Sequence, residues 1–462
     1  MIKILSHLRL AAALSLTLLP FTLIANVPGG GTGTGPNVTL TDNGDGTVTM
    51  ANGIVSIRIG KTSAVVDQVN YTFNNNGSSQ TLDLVAGNPN GGKLYWEFGG
   101  FGSGLSTYSV VSNSADYAEV SIFFDSAASG AVDIHFSLPR GTTGFYVTPI
   151  YLHRNGDNAM SMGECRDNIY AGSIFNWMST DATRNRLMAV NPSYSAVGVQ
   201  TAPVECSMWT NGIYAGQYED KYKYTADYGD VRVWGWSSVG TGGKNIGLWD
   251  VAGSVEYYPG GPTKRELLCH IGTTILNTTH GAHYGGGTDS SYGLNEDWSH
   301  VYGPHFIYCN AISNNITTTN LAAQALYADA LAQSVAEAGA WPYAWFNNAY
   351  YTPASGRGTV KGQIVINDSY NPSASASNLW VGVEQQPSQP TATYDFQKWS
   401  KPYQFWVRTD ANGNFTIPDV IAGANYTLYA FGPGAAGTFQ SQAQTGGNAP
   451  NELNFPSPQF SV

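Results

Sequence analysis

From residue 37 to about residue 305 the chain is built of short runs in which apolar and polar residues alternate. Thr47-Val-Thr-Met-Ala-Asn-Gly-Ile-Val-Ser-Ile-Arg-Ile59 and Ala118-Glu-Val-Ser-Ile-Phe-Phe124 are typical, and Asn, Gly or Asp punctuate them. A period of two places one set of side chains on each face of a strand, so each run has one face to bury. Two stacked antiparallel sheets bury many such faces at once, and a large β-sandwich is expected. With 42% hydrophobic and only 11% charged residues the chain is not disordered, and 462 residues exceed one compact core, so two or three domains are expected.

One stretch breaks the pattern. Residues 320–339 are Ala-rich and read as a helix, with Asn320 as N-cap, Gly339 as C-cap and Pro342 beyond it, closing the sandwich at its end. After Ala354-Ser-Gly-Arg-Gly358 a second strand pattern begins at Thr359-Val-Lys-Gly-Gln-Ile-Val-Ile366, and residues 354–445 read as a small Greek-key sandwich. The first domain is then 37–353, and residues 446–462 form a turn-rich tail.

At the other end, Lys3, His7 and Arg9 precede an apolar run from Leu10 to Ala25 that is interrupted by Pro20. This is short for a membrane span and reads as a cleaved signal peptide over 1–25, followed by a Gly-rich linker at 26–36. The mature protein is expected to be secreted, without a membrane anchor, and monomeric. Cys165, Cys206, Cys269 and Cys309 suit either two disulfides or buried thiols.

The net charge is −11, which repels nucleic acid and anionic lipid. Yet eleven of the 21 Lys and Arg residues fall between Arg140 and Arg265, and five of the 8 histidines between His270 and His305. Such concentration suggests a cationic cleft in the first domain and an anionic ligand. Lys221 and Lys223, in Glu219-Asp-Lys-Tyr-Lys-Tyr224, would share one face of a strand running toward Trp236; their mutual repulsion would lower a lysine pKa and make a base, or they guard an edge strand. His280 and His283, three apart beside a glycine cluster, suit proton transfer or structural pairing better than zinc, since no third ligand is evident. Arg166, Arg184 and Arg186 could clamp carboxylates or pair with Glu164 and Asp181. Glu219, Asp220, Asp250, Glu296 and Asp297 are the carboxylates a glycoside hydrolase would need in facing pairs. Tyr170, Trp177, Trp209, Tyr214, Trp234, Trp236, Tyr257 and Tyr258 offer sugar-stacking faces or core.

Five segments in order carry a resemblance. They are Asp220-Lys-Tyr-Lys-Tyr-Thr225, Tyr257-Tyr-Pro-Gly-Gly-Pro-Thr-Lys-Arg-Glu-Leu267, Leu276-Asn-Thr-Thr-His-Gly-Ala-His-Tyr284, Glu296-Asp-Trp-Ser-His-Val-Tyr-Gly-Pro304 and Trp341-Pro-Tyr-Ala-Trp-Phe346. With Asn412-Gly-Asn-Phe and Tyr426-Thr-Leu-Tyr-Ala-Phe downstream, the chain resembles rhamnogalacturonan lyases of polysaccharide lyase family 4 over roughly residues 45–445. The resemblance implies an N-terminal β-supersandwich bearing the active site, a fibronectin-III-like second domain, and normally a C-terminal jelly-roll like carbohydrate-binding modules, which is expected to be absent here. It implies β-elimination of the rhamnosyl-(1→4)-galacturonate bond of pectic rhamnogalacturonan I. Lys221 is then the base and His283 the acid, with His280 the competing histidine and the two roles exchangeable. Arg166, Arg184, Arg186, Lys223 and Tyr284 are the substrate-binding candidates, and no cofactor or metal is expected. A non-catalytic pectin-binding protein and a glycoside hydrolase are the alternatives.

Overall fold

In the computed structural model the described residues are 31–102, 104–126, 128–187, 198–201, 206–220, 224–270, 274–280, 291–312, 316, 318–366, 368–386, 396–397, 400–432, 439–440 and 460–461. The alternating runs form strands, and the residues between them turn the chain. Asn76 and Gly77, both at positive φ (51° and 82°), make the tight loop between Val66–Asn75 and Ser78–Asp83.

Among the described residues the first domain stacks a nine-stranded sheet on a ten-stranded one, and every recorded strand pairing is antiparallel. The first runs Thr39–Asp42, Thr47–Ala51, Val55–Gly60, Val66–Asn75, Lys93–Phe98, Cys165–Tyr170, Thr274–His280 and Cys269–His270, with Ser78–Asp83 beside Val66–Asn75. The second centres on Val233–Ser238, Ile246–Ala252, His305–Ala311, Gly144–His153 and Gly130–Pro139. Ile57, Leu94, Trp96 and Ile169 of the first sheet and Ile122, Ile134, Trp234 and Leu248 of the second belong to one buried cluster. The indole N–H of Trp234 donates to the Leu276 carbonyl at 2.8 Å, tying one sheet to the other.

The helix spans Thr319–Ala340 and buries Ala322, Ala323, Leu326, Tyr327 and Ala330 against the second sheet. Its ends differ from expectation. Thr318 is the N-cap, Gly339 lies inside the helix, and Trp341 is the C-cap. Pro342 ends the helix by disfavouring helical backbone at the residue before it, which leaves glycine no capping role. Glu337 in the last turn accepts hydrogen bonds from Tyr146 and Tyr343.

The second domain pairs Arg357–Gln363 with Asn414–Ile421 and builds a further sheet from Gln404–Arg408, Trp380–Gln385 and Asn425–Phe431. Its own core includes Val381, Val383, Phe405, Ile417 and Leu428. It is docked on the first domain by polar contacts. Arg357 pairs with Glu256, Lys401 with Glu296 (2.7 Å) and Arg408 with Asp230 (3.2 Å). His300 stacks on Tyr403 with ring centroids 4.0 Å apart, and the Tyr403 hydroxyl accepts from the Val301 N–H at 2.9 Å.

Candidate active site

Three strands of the first sheet, Lys93–Phe98, Cys165–Tyr170 and Thr274–His280, lie side by side. On the Lys93 strand, Leu94 and Trp96 point into the sandwich while Lys93, Tyr95 and Glu97 stand half-buried on the outer face. Register places Lys93 opposite Tyr170, Tyr95 opposite Asn168 and Glu97 opposite Arg166. The outer face is therefore a strip of cations, carboxylates and phenols on an apolar floor.

Arg166 is held at one end of this strip. Its guanidinium bonds both oxygens of Glu97, at 2.5 and 3.2 Å, and Glu164 at 3.3 Å. Burial works to lower the guanidinium pKa, but these two carboxylates outweigh it and raise it, so Arg166 stays charged. Its backbone pairs with Thr278, and Cys165 pairs with His280 across a local irregularity. The strand that ends in His280 thus ends beside Arg166. The side chain of His280, and all of His283 and Tyr284, lie outside the described residues.

Lys221 and Lys223 also lie outside the described residues, but both flanks of their segment are fixed. Asp220 ends the strand Tyr218–Asp220 opposite Cys206, and Thr225 begins Thr225–Asp227 opposite Leu267. The run expected to continue as one strand to Trp236 is instead three strands in three different sheets. Tyr224 accepts from the Leu268 N–H at 3.3 Å, and Leu268 accepts from the Leu276 N–H at 2.8 Å. Backbone hydrogen bonds thereby connect the end of the lysine segment to the strand that ends in His280. Arg184 secures the same place: it donates to the Thr225 carbonyl and is gripped by Asp181, with one bond at 2.9 Å. Burial tends to raise the Asp181 pKa, but the bonds from Arg184 and Thr183 bring it down to about 2. Arg186 lies apart, its guanidinium 4.1 Å from the centroid of the Tyr214 ring.

The carboxylates weighed for hydrolysis take other places. Asp250 is fully buried between the sheets, 3.4 Å from His305, and Glu296 is engaged with Lys401 of the second domain. The side chains of Glu219 and Asp220 lie outside the described residues. Of the aromatic candidates, Trp234, Trp236, Tyr257 and Tyr258 are core, whereas Tyr170 and Tyr214 are half-buried. Sequence reasoning missed Lys93, Tyr95 and Glu97. The alternation Lys93-Leu-Tyr-Trp-Glu-Phe98 carries that signal, since its polar members fall on one face. It also missed Asp167, buried directly behind Arg166, where burial and the nearby Asp250 push its carboxyl pKa well up.

Comparison with known proteins adds a second line. Residues 356–445 match the family model described as polysaccharide lyase family 4, domain II. The chain is 27% identical over 252 residues to the "Probable rhamnogalacturonate lyase C" of Aspergillus oryzae, a stretch covering 52% of this chain and 33% of that protein. It is 26% identical over 263 residues to the "Probable rhamnogalacturonate lyase B" of Aspergillus terreus, covering 54% and 36% respectively. To the "Rhamnogalacturonate lyase B" of Emericella nidulans it is 26% identical over 235 residues, covering 48% and 31%. The chain spans about a third of the length of these curated relatives. With a matching second domain docked on a β-sandwich, the chain is similar to the rhamnogalacturonate lyases, and its residues 356–445 are similar to domain II of polysaccharide lyase family 4.

Proposed function

We propose that this chain is a secreted, endo-acting rhamnogalacturonan lyase that cleaves the rhamnosyl-(1→4)-galacturonate bond of rhamnogalacturonan I by β-elimination. The observation that carries the reading is the family-4 domain II at 356–445, docked on the first domain through the Glu256–Arg357 and Glu296–Lys401 pairs. Abstraction of a galacturonate C5 proton needs the adjacent carboxylate neutralised and the developing enolate stabilised. Lys221 takes that proton as base, the C4–O4 bond breaks as C4=C5 forms, and His283 gives a proton to the galacturonate O4 that departs with the rhamnosyl group, with His280 the alternative acid and the two roles exchangeable. Arg166, Arg184, Arg186, Lys223 and Tyr284 are the proposed substrate contacts. In this reading Arg166 exchanges one of its two carboxylate partners for the substrate's, and Arg184 acts by holding the end of the lysine segment. The cations do this neutralisation without a metal cofactor, and the basic start and apolar run of residues 1–25 export the protein.

The test is ultraviolet absorbance of the unsaturated uronate product, followed on rhamnogalacturonan I and on homogalacturonan, with and without chelator. A rise on the first alone, unchanged by chelator, supports the reading. Retention of the polymer with no rise turns it to a pectin-binding protein, and saturated reducing ends turn it to a hydrolase.

A further inference from the structure

We infer that Lys93, Tyr95 and Tyr170 form a binding subsite for a uronate-bearing sugar, at the far end of the sheet face from Arg166; the inference rests on the proposed lyase reading and adds to it where a second acidic residue of the polymer is held. Lys93 and Tyr170 are direct neighbours across adjacent strands, and Tyr95, two residues along the Lys93 strand, is diagonal to Tyr170 on the same outer face. The Lys93 ammonium is 4.8 Å from the centroid of the Tyr95 ring and 5.7 Å from that of Tyr170. Two phenols hold the cation in place without neutralising it.

The charge of Lys93 is what sets it apart. Arg166, on the same face, is compensated by Glu97 and Glu164. No carboxylate pairs with Lys93 among the described residues. An incoming carboxylate therefore gains a charge-assisted contact at Lys93 without displacing an internal partner. In a chain of net charge −11, such a local cation is what a polyanion requires.

The rings around it are already ordered. Tyr95 and Tyr170 meet edge to face, with centroids 5.5 Å apart and an interplanar angle of 81°, and their hydroxyls are 3.2 Å apart. Tyr95 also reaches Glu97 at 3.4 Å. Fixed phenols offer a ring surface to sugar C–H groups and hydroxyls to sugar oxygens with little ordering cost on binding. Lys93 and Glu97 are four residues apart on one strand, about 13 Å at the usual rise. That is further than one sugar ring spans, so a uronate on Lys93 is a different residue from one at the Arg166 end.

The experiment uses the full chain and Lys93→Met, which keeps the aliphatic stem. Affinity electrophoresis through rhamnogalacturonan I reads binding without turnover, and product absorbance reads KM and kcat. Lys93→Met is expected to raise KM about 5- to 10-fold, with kcat changing far less, and to lose retardation in proportion. The parent protein is expected to bind polymer with free uronates more tightly than methyl-esterified polymer, a preference that shrinks in the variant to what the remaining cations supply. Equal retardation and equal KM in the two proteins overturn the subsite. A parent protein that is retarded but inactive, with retardation weakened in Lys93→Met, keeps the subsite while the lyase reading fails. Absence of both binding and turnover overturns both. If Lys93→Met does not fold, Tyr170→Phe removes one hydroxyl only and must weaken retardation for the subsite to stand.

Discussion

Arg357, the first residue of a second-domain strand, grips Glu256 of the first domain through two parallel hydrogen bonds of 2.9 Å each, and both side chains are almost wholly buried. The Trp341 indole donates to the same carboxylate at 3.0 Å, and Arg357 also donates to the carbonyls of Thr352 and Asp419. Removing one partner strands a charge in this interface. Arg357→Met or Glu256→Leu alone is expected to cost about 3–5 kcal/mol. The double substitution should recover part of that loss, because neither charge is then left behind. Denaturant unfolding of the three variants checks this, and equal stabilities for the singles and the double would remove the pair from the account of domain docking.

His135 makes stability depend on pH on the alkaline side. Its ring nitrogens meet Glu119 at 2.6 Å and Asp133 at 3.1 Å, with Asn348 at 3.4 Å and the Phe346 ring edge-on to it. Burial alone would lower its pKa, but the two carboxylates raise it from 6.5 to about 9. A pKa raised by folding gives stabilisation that is complete below about pH 6.5 and lost as pH rises through about 9. The parent protein should lose stability across that window, on the order of 3 kcal/mol for this group. His135→Gln should be flatter there, as urea unfolding at several pH values would show.

The period-two runs made the sandwich and its sheet-forming segments legible, because burial of one face leaves that pattern wherever a strand is half covered. The helix was legible for the matching reason, an Ala-rich run closed by Pro342. What could not be read was which face is inside. Arg166 and Asp167 are adjacent and must point oppositely, yet only the stacking of the second sheet, with Asp250 and Trp234, determines that Asp167 is the buried one. Nor does alternation through residues 218–236 reveal that the chain passes through three sheets, since each pairing is made with a partner distant in sequence. The segments at Tyr257 and Glu296, read as carrying the family resemblance, also serve the domain interface. Glu256 and Tyr257 are consecutive, and Glu296 and His300 both touch Lys401. The cysteines were open between two disulfides and thiols, and Cys165, Cys269 and Cys309 are buried thiols.

Asp181 and Arg184 yield a prediction on the acidic side. A carboxyl whose pKa falls from 3.8 to about 2 on folding contributes stability above about pH 4 and loses it as pH falls through about 2. The clamp on Thr225 therefore persists through mildly acidic conditions. Asp181→Asn frees Arg184 to move and loosens the end of the Lys221 segment. A displacement of about 1 Å at a reacting group can cost ~100-fold in rate. The expected result is a fall in kcat of about that size with a smaller change in KM, alongside a flatter stability profile between pH 4 and 2. A purely structural role would lower stability and leave kcat of the folded fraction intact.

The two histidines and Lys221 are separated by which state of the reaction each one serves. A base that takes the C5 proton gains its interaction mainly in the transition state, so Lys221→Ala should abolish turnover while affinity electrophoresis shows polymer retention almost unchanged. The acid toward the leaving oxygen should matter by about 10²–10⁴-fold, and only one histidine can hold that place. His283→Ala is therefore expected to show the deep loss and His280→Ala the shallow one. The reverse order would move the acid to the residue that ends the Thr274–His280 strand, whose backbone is paired with Cys165 beside the Arg166–Glu97 contact. A leaving group better than rhamnose discriminates further, because it should rescue the variant that lacks the acid and leave Lys221→Ala inactive. Full activity in Lys221→Ala would sink the assignment of the base whatever the histidines do.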